Sequence, residues 1–121
     1  MQLQSLTPML WVDDLKITID FYTNVLGFSV DSRSDEWGWA HLHKDEVKIM
    51  FSLPNTHIPY TGPVFSGSFY LNTNNINDCW ESLKDKTRIV YPLEEFEYGM
   101  REFAIYDCNG YILQFGQPVN G

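Results

Sequence analysis

The sequence predicts an α+β protein. It reads as two βαβββ modules in tandem, residues 6–53 and 67–117, whose eight strands form a curved mixed sheet around a cavity with the helices outside. Three observations lead there. The segment LTPMLWVDDLKITIDF near the start has a counterpart 61 residues later in the stretch that opens SFYLNTNNINDCW. Thr7 falls under Ser68, Met9 under Tyr70, Leu10 under Leu71, Asp13 and Asp14 under Asn74 and Asn75, Leu15 under Ile76, and Ile19 under Trp80. Each copy is followed by three strand-like runs. Between them, PNTHIPYTGPVFSG holds three of the six prolines and two of the eight glycines, so residues 54–66 read as a linker or a flap. Neither half carries enough apolar surface to stand alone, and two partly open sheets can pair to close a core.

The elements follow in order. LTPMLWV suits a strand, and Asp13 or Asp14 then caps a helix with Leu15, Ile19, Tyr22 and Leu26 on one face. Gly27 supplies a left-handed stop. FSVDSR, GWAHLHK and VKIMFSL read as strands, with a tight turn at Lys44 to Glu46 between the last two. In the second half SFYLNT is a strand, Asn75 a cap, and INDCWESLKDK a helix facing inward through Ile76, Trp80 and Leu83. RIVYPL is a strand, EEFEYG a loop, REFAIYD a strand, CNG a turn and YILQFG the last strand.

Length and composition restrict the function. A chain of 121 residues, 44% hydrophobic and 20% charged, suits a single globular domain. The formal charge of −8 argues against nucleic acid, whose phosphates need a basic face. An acidic balance suits a cationic ligand, and it also keeps many proteins dispersed. No apolar run reaches the roughly 18 residues of a membrane span. The start, MQLQSLTPML, lacks a basic region and a long apolar core, so a cytoplasmic location is expected. Cys79 and Cys108 have no ligand spacing and read as reduced structural thiols.

Few residues suggest chemistry. There is no G-x-S-x-G, and neither cysteine has a basic neighbour in sequence. Glu94, Glu95 and Glu97 read as a solvated loop face. His41 and His43 stand two apart on a strand, on one face and about 7 Å apart at Cα. With help from His57 or Glu46 they suit a metal; without it they are two half-exposed histidines on a sheet. Trp37 and Trp39 share that face, while Ala40 and Leu42 take the helix side.

The runs V-D-D-L…F-Y…L-G-F (Val12 to Phe28) and G-M-R-E-F…Y-D-C-N-G-Y-I-L-Q-F (Gly99 to Phe115) resemble the vicinal oxygen chelate superfamily. Its members include glyoxalases, bleomycin-resistance proteins and ring-cleaving dioxygenases. The resemblance implies, for enzymes of the family, a divalent metal held by the first and last strands of each module. Here those positions carry Thr7, Met50, Ser68 and Gln114, a set with no charge, so no metal and no other cofactor is expected. With Thr7 on the inner face, strand alternation adds Met9 and Trp11; Ser68 adds Tyr70 and Asn72. The resemblance also places a basic or aromatic residue beside the cavity near Tyr98 and Arg101. Arg101 equally suits a surface ion pair with Glu102 or Glu97.

The Pro of T-P-M-L, the G-W of the third strand and the acidic balance are most similar to the bleomycin-resistance branch. That branch implies a homodimer that sequesters a small-molecule ligand, bulky, aromatic and cationic, without chemistry. Trp39, Trp11 and Tyr70 are then stacking surfaces, with His41, Met50, Gln114, Ser68, Thr7, Arg101 and Tyr98 around them. The alternatives are a metal-dependent glyoxalase-like lyase, isomerase or dioxygenase, and an interaction module whose pocket is a relic.

Overall fold

The computed structural model describes residues 1–64 and 67–119. It contains eight strands and two helices: β1 (Met9–Trp11), α1 (Leu15–Asn24), β2 (Ser29–Ser34), β3 (Trp39–Lys44), β4 (Val47–Ser52), β5 (Phe69–Asn72), α2 (Ile76–Leu83), β6 (Arg88–Glu95), β7 (Met100–Tyr106) and β8 (Ile112–Pro118). The expected α+β architecture of two tandem modules is present. The strands pair as two four-stranded mixed sheets, ordered β1-β4-β3-β2 and β5-β8-β7-β6. The chain divides into two compact units, Met1–Gly62 and Pro63–Gly121. Residues 65 and 66 of the expected linker lie outside the described residues.

The repeat read in the sequence is a repeat of hydrogen-bond register. β1 runs parallel to β4 with Met9 opposite Met50 and Leu10 opposite Phe51. β5 runs parallel to β8 with Tyr70 opposite Gln114 and Leu71 opposite Phe115. Past each first strand, one amide closes onto its partner strand: Val12 N–H donates to the Ser52 carbonyl and Thr73 N–H to the Gly116 carbonyl, both at 3.0 Å. Leu10 and Leu71 are both half-buried, so the two positions are equivalent in pairing and in exposure.

α1 starts where Asp14 accepts from the Ile17 amide at 2.9 Å, an N-cap contact that satisfies one of the free donors of the first turn. It ends where Gly27 adopts φ 80°, which lets the Phe28 amide return to the Tyr22 carbonyl at 2.8 Å. Leu15, Ile19, Tyr22 and Leu26 are all buried, and the Tyr22 ring lies 4.6 Å from that of Phe51 on the sheet. α2 is anchored differently. Asn75 holds the N-cap position without a side-chain cap bond, and Gln117 of β8 accepts from the Ile76 amide instead, at 2.9 Å. Ile76 and Leu83 are buried, and Trp80 packs 5.2 Å from Phe103.

Two boundaries differ from the sequence reading. β6 continues through Glu95, whereas Glu94 and Glu95 were expected in a loop; they pair with Glu102 and Arg101 of β7. The strand survives its proline and its charges because it is a sheet edge, broken by register shifts on either side of Tyr91. β1 spans only Met9–Trp11, and Pro8 before it contributes a carbonyl that accepts from the Met50 amide at 2.9 Å.

Candidate functional site

Alternation along the central strands decides which side chains are free for function. In the second module Phe103, Ile105, Leu113 and Phe115 occupy the α2 side, with Phe103 stacked on Phe115 at 4.9 Å. Glu102, Gln114 and Gly116 therefore face the opposite way. Glu102 is only 3% exposed, yet no Lys, Arg or His among the described residues pairs with it. Three phenols do. Tyr70 of β5 donates to Oε2 at 2.5 Å, Tyr91 of β6 to Oε1 at 3.0 Å, and Tyr98 of the β6–β7 turn also to Oε1.

Tyr70 reaches Glu102 by crossing over β8, and the crossing point is Gly116, which lies opposite Glu102. A Cβ there would run into the Tyr70 ring, with Cε1 only 2.8 Å away. The missing side chain is the gap through which the phenol passes. A second chain of polar contacts adjoins the first. Ser68 donates to Oε1 of Gln114, and Gln114 Nε2 donates to the Tyr91 hydroxyl at 2.9 Å.

Burial pushes the Glu102 carboxyl up, but the bonds from Tyr70, Tyr98 and Tyr91 outweigh it and hold it below the ordinary glutamate value. The phenols shift the other way. The bond to Glu102 and, after it, burial push Tyr98 up to about 12; burial and then the Glu102 bond raise Tyr70 further. Folding thus disfavours protonating the carboxyl and ionising the phenols. The cluster's contribution to stability should be full between the ordinary values of 4.5 and 10.0. It should fade as pH falls through the depressed glutamate value and as pH rises from 10.0 toward about 12. Denaturant midpoints of wild type and Glu102→Gln, measured from pH 3 to 11, should differ most in that middle window. A gap that is constant with pH would show that the cluster carries no linkage.

In the first module the face opposite α1 carries His41 and His43 on β3, beside Met50 and Lys48 of β4. Between Val30 and Ser32 the β2–β3 register slips, and the extra residue is Asp31. The bulge turns its carboxylate onto both imidazoles: Oδ2 meets His41 Nδ1 at 2.8 Å and Oδ1 meets His43 Nδ1 at 2.6 Å. Burial raises the Asp31 carboxyl, and the two histidine bonds override this to leave it below the ordinary aspartate value. Trp39 lies 6.5 Å from His41, ring to ring, and sits half-buried opposite Ser52. Ser52 in turn pairs with Trp11, whose ring meets Tyr60 edge-on at 5.8 Å while Tyr60 donates to the Trp11 carbonyl at 2.8 Å.

The structure thus gathers Tyr70, Tyr98, Ser68 and Gln114 around Glu102 in one module, and His41, Met50, Trp39 and Trp11 on one sheet face in the other. Trp37 lies apart, in the β2–β3 turn and 80% exposed. Arg101 lies on the strand face opposite Glu102, bonded to Glu95 and within 3.5 Å of Asn77. It opens onto a polar cleft of about 250 Å³ lined by Asn74, Asn77 and Gln117. Asp31, Glu102 and Tyr91 were not singled out from the sequence. Glu102 did leave a signal, a lone acid within the otherwise strand-like run R-E-F-A-I-Y.

At the positions where the family resemblance implies a metal, the residues do not fit one. Ser68 and Gln114 are bonded to each other, and Gln114 also to Tyr91, so their polar groups are engaged and carry no charge. Thr7 and Met50 offer a hydroxyl and a thioether. Among the described residues no three His, Cys, Asp or Glu side chains form a group suited to a metal ion. No helix among them is long and apolar enough to cross a membrane.

A sequence model described as Glyoxalase/Bleomycin resistance protein/Dioxygenase superfamily matches residues 4–115. No curated protein matches the chain. Solved structures similar to it include a protein of unknown function from Agrobacterium tumefaciens str. C58 (16% identity, 97% of this chain and 95% of that one, TM-score 0.79). TioX from Micromonospora sp. ML1 is also similar (20% identity, 95% and 98%, TM-score 0.77). So is a lactoylglutathione lyase from Agrobacterium tumefaciens (16% identity, 97% and 96%, TM-score 0.75). At these identities the likeness is one of fold.

Proposed function

Because the chain belongs to the glyoxalase/bleomycin resistance protein/dioxygenase superfamily, we propose that it is a member that binds and sequesters a planar, cationic organic molecule without transforming it. The observation that carries this reading is at Gln114. Where an enzyme of the fold needs a charged metal ligand, this chain has an amide whose oxygen accepts from Ser68 and whose nitrogen donates to Tyr91. What remains on the free sheet faces is half-exposed aromatic surface with a few polar handles, the mixture by which pockets hold organic ligands. The chain works in the cytoplasm as a homodimer in this reading, and its formal charge of −8 draws cations toward it.

Trp39 supplies the main stacking surface. A fluorescence titration of wild type and Trp39→Ala with planar cationic aromatics, bleomycin-type glycopeptides among them, should show about tenfold weaker binding by the variant, the scale of one aromatic contact. Equal binding by the two proteins would reduce Trp39 to packing. Stoichiometric Zn, Ni, Fe or Mn in protein purified without chelator, lost on Gln114→Ala, would favour the metal-dependent lyase instead.

A further inference from the structure

The second module holds a buried negative charge that no cation among the described residues neutralises. Glu102 is 3% exposed, and its oxygens accept from three tyrosines rather than from a cation. The phenols satisfy the hydrogen bonds and keep the carboxylate ionised, but they bring no positive charge, so a net negative charge stays under the aromatic cover. The nearest arginine in sequence, Arg101, is committed to Glu95 on the other side of the strand. Two of the phenols that cover the carboxylate are themselves accessible: Tyr98 is 65% and Tyr70 39% exposed. Phe96 stacks parallel to Tyr98 at 5.4 Å and meets Tyr91 edge-on at 5.6 Å, extending the aromatic surface.

We propose that Glu102 and its tyrosines form, within the second module, a recognition site for an N-methylated ammonium group. This rests on the binding reading above and names the chemistry it selects. The selectivity follows from the hydrogen-bond inventory. A carboxylate offers about four acceptor directions; three are taken here, and the group is covered. A primary ammonium or a guanidinium brings several N–H donors that lose water on binding and find at most one carboxylate direction to replace it. A quaternary methylammonium brings charge without that demand, and a tertiary one brings a single N–H. It can rest on the exposed phenol faces, whose negative quadrupole attracts it, with the buried carboxylate adding a field of the same sign. The aromatic surface supplies contact, and Glu102 supplies the preference for charge.

The test compares three probes on one benzyl frame: benzyltrimethylammonium, its neutral isostere neopentylbenzene, and the smaller benzylammonium. Each is titrated into the full chain, following the tyrosine ring and probe methyl resonances by NMR. The quaternary probe should bind wild type at least about fivefold more tightly than either of the others, the scale of a partly desolvated cation on aromatic faces. Glu102→Gln should bring it down to the level of the neutral isostere while leaving that isostere's own binding unchanged. Tyr98→Leu, at an exposed position outside the core, should weaken the quaternary probe and provides a second variant should Glu102→Gln fail to fold. Equal binding of the quaternary and neutral probes, tighter binding of benzylammonium, or a quaternary preference that survives both variants overturns the proposal. So does the absence of saturable binding by the quaternary probe. Retention of the Trp39-dependent titration alongside any of these results would leave the binding reading standing and remove only its cation site.

Discussion

Gly116→Ala should destabilise the protein by about 2–3 kcal/mol, although the same change in most strands is favourable. Glycine within a strand ordinarily costs about 0.5–1 kcal/mol relative to alanine, because it loses more backbone freedom on folding. Here the added methyl meets the Tyr70 ring, with Cε1 at 2.8 Å, and the ring cannot stay where it reaches Glu102. Overpacking of this kind costs about 1–3 kcal/mol. Loss of a hydrogen bond to a charged group adds about 1.5–3 kcal/mol, reduced here because Tyr70 is 39% exposed and regains water. The check is a double-mutant cycle in urea. With Tyr70→Ala already in place the obstacle is gone, and Gly116→Ala should become neutral or mildly stabilising. A cost of the same size in both backgrounds would mean that the glycine serves the strand itself and not the tyrosine crossing it.

Phe103→Ala should be costlier still, at about 3–5 kcal/mol. The ring is fully buried, stacked 4.9 Å from Phe115 and packed 5.2 Å from Trp80 of α2. Truncating it opens a cavity between sheet and helix that a short helix anchored by one borrowed cap can only partly close. Against a total stability of about 5–15 kcal/mol for a domain of this kind, the loss should be visible as a large fall in the urea midpoint. A fall worth less than about 1.5 kcal/mol would mean that α2 collapses onto the sheet without this ring.

The fold was legible because its signals are periodic and occur twice. The spacing of Leu15, Ile19, Tyr22 and Leu26 marks a helix by itself, and Ile76 and Leu83 repeat part of it in register. Alternation on β3 assigned Ala40 and Leu42 to the buried side, and both are fully buried. The two acids, Asp31 in the first module and Glu102 in the second, were not legible for different reasons. Asp31 faces its histidines only because a bulge shifts the phase of β2, and a bulge has no period to read. Glu102 looks from sequence like an ion-pair partner for Arg101, yet neighbours on a strand point to opposite faces. Its true partners, Tyr70, Tyr91 and Tyr98, come from β5, β6 and a turn as much as 32 residues away.

The matched registers give this chain two copies of one address. In the first module Trp11, Ser52 and Trp39 form a row across β1, β4 and β3; in the second, Asn72, Gly116 and Glu102 form the corresponding row across β5, β8 and β7. Trp39 and Glu102 are therefore occupants of the same position, written once as an indole and once as a carboxylate. The backbone ladder and the helix-facing residues specify the address, and the side chain at it sets the local chemistry and adds its own share of stability. A repeated fold of this kind can rewrite its chemistry one copy at a time, with the unaltered copy keeping its own letter.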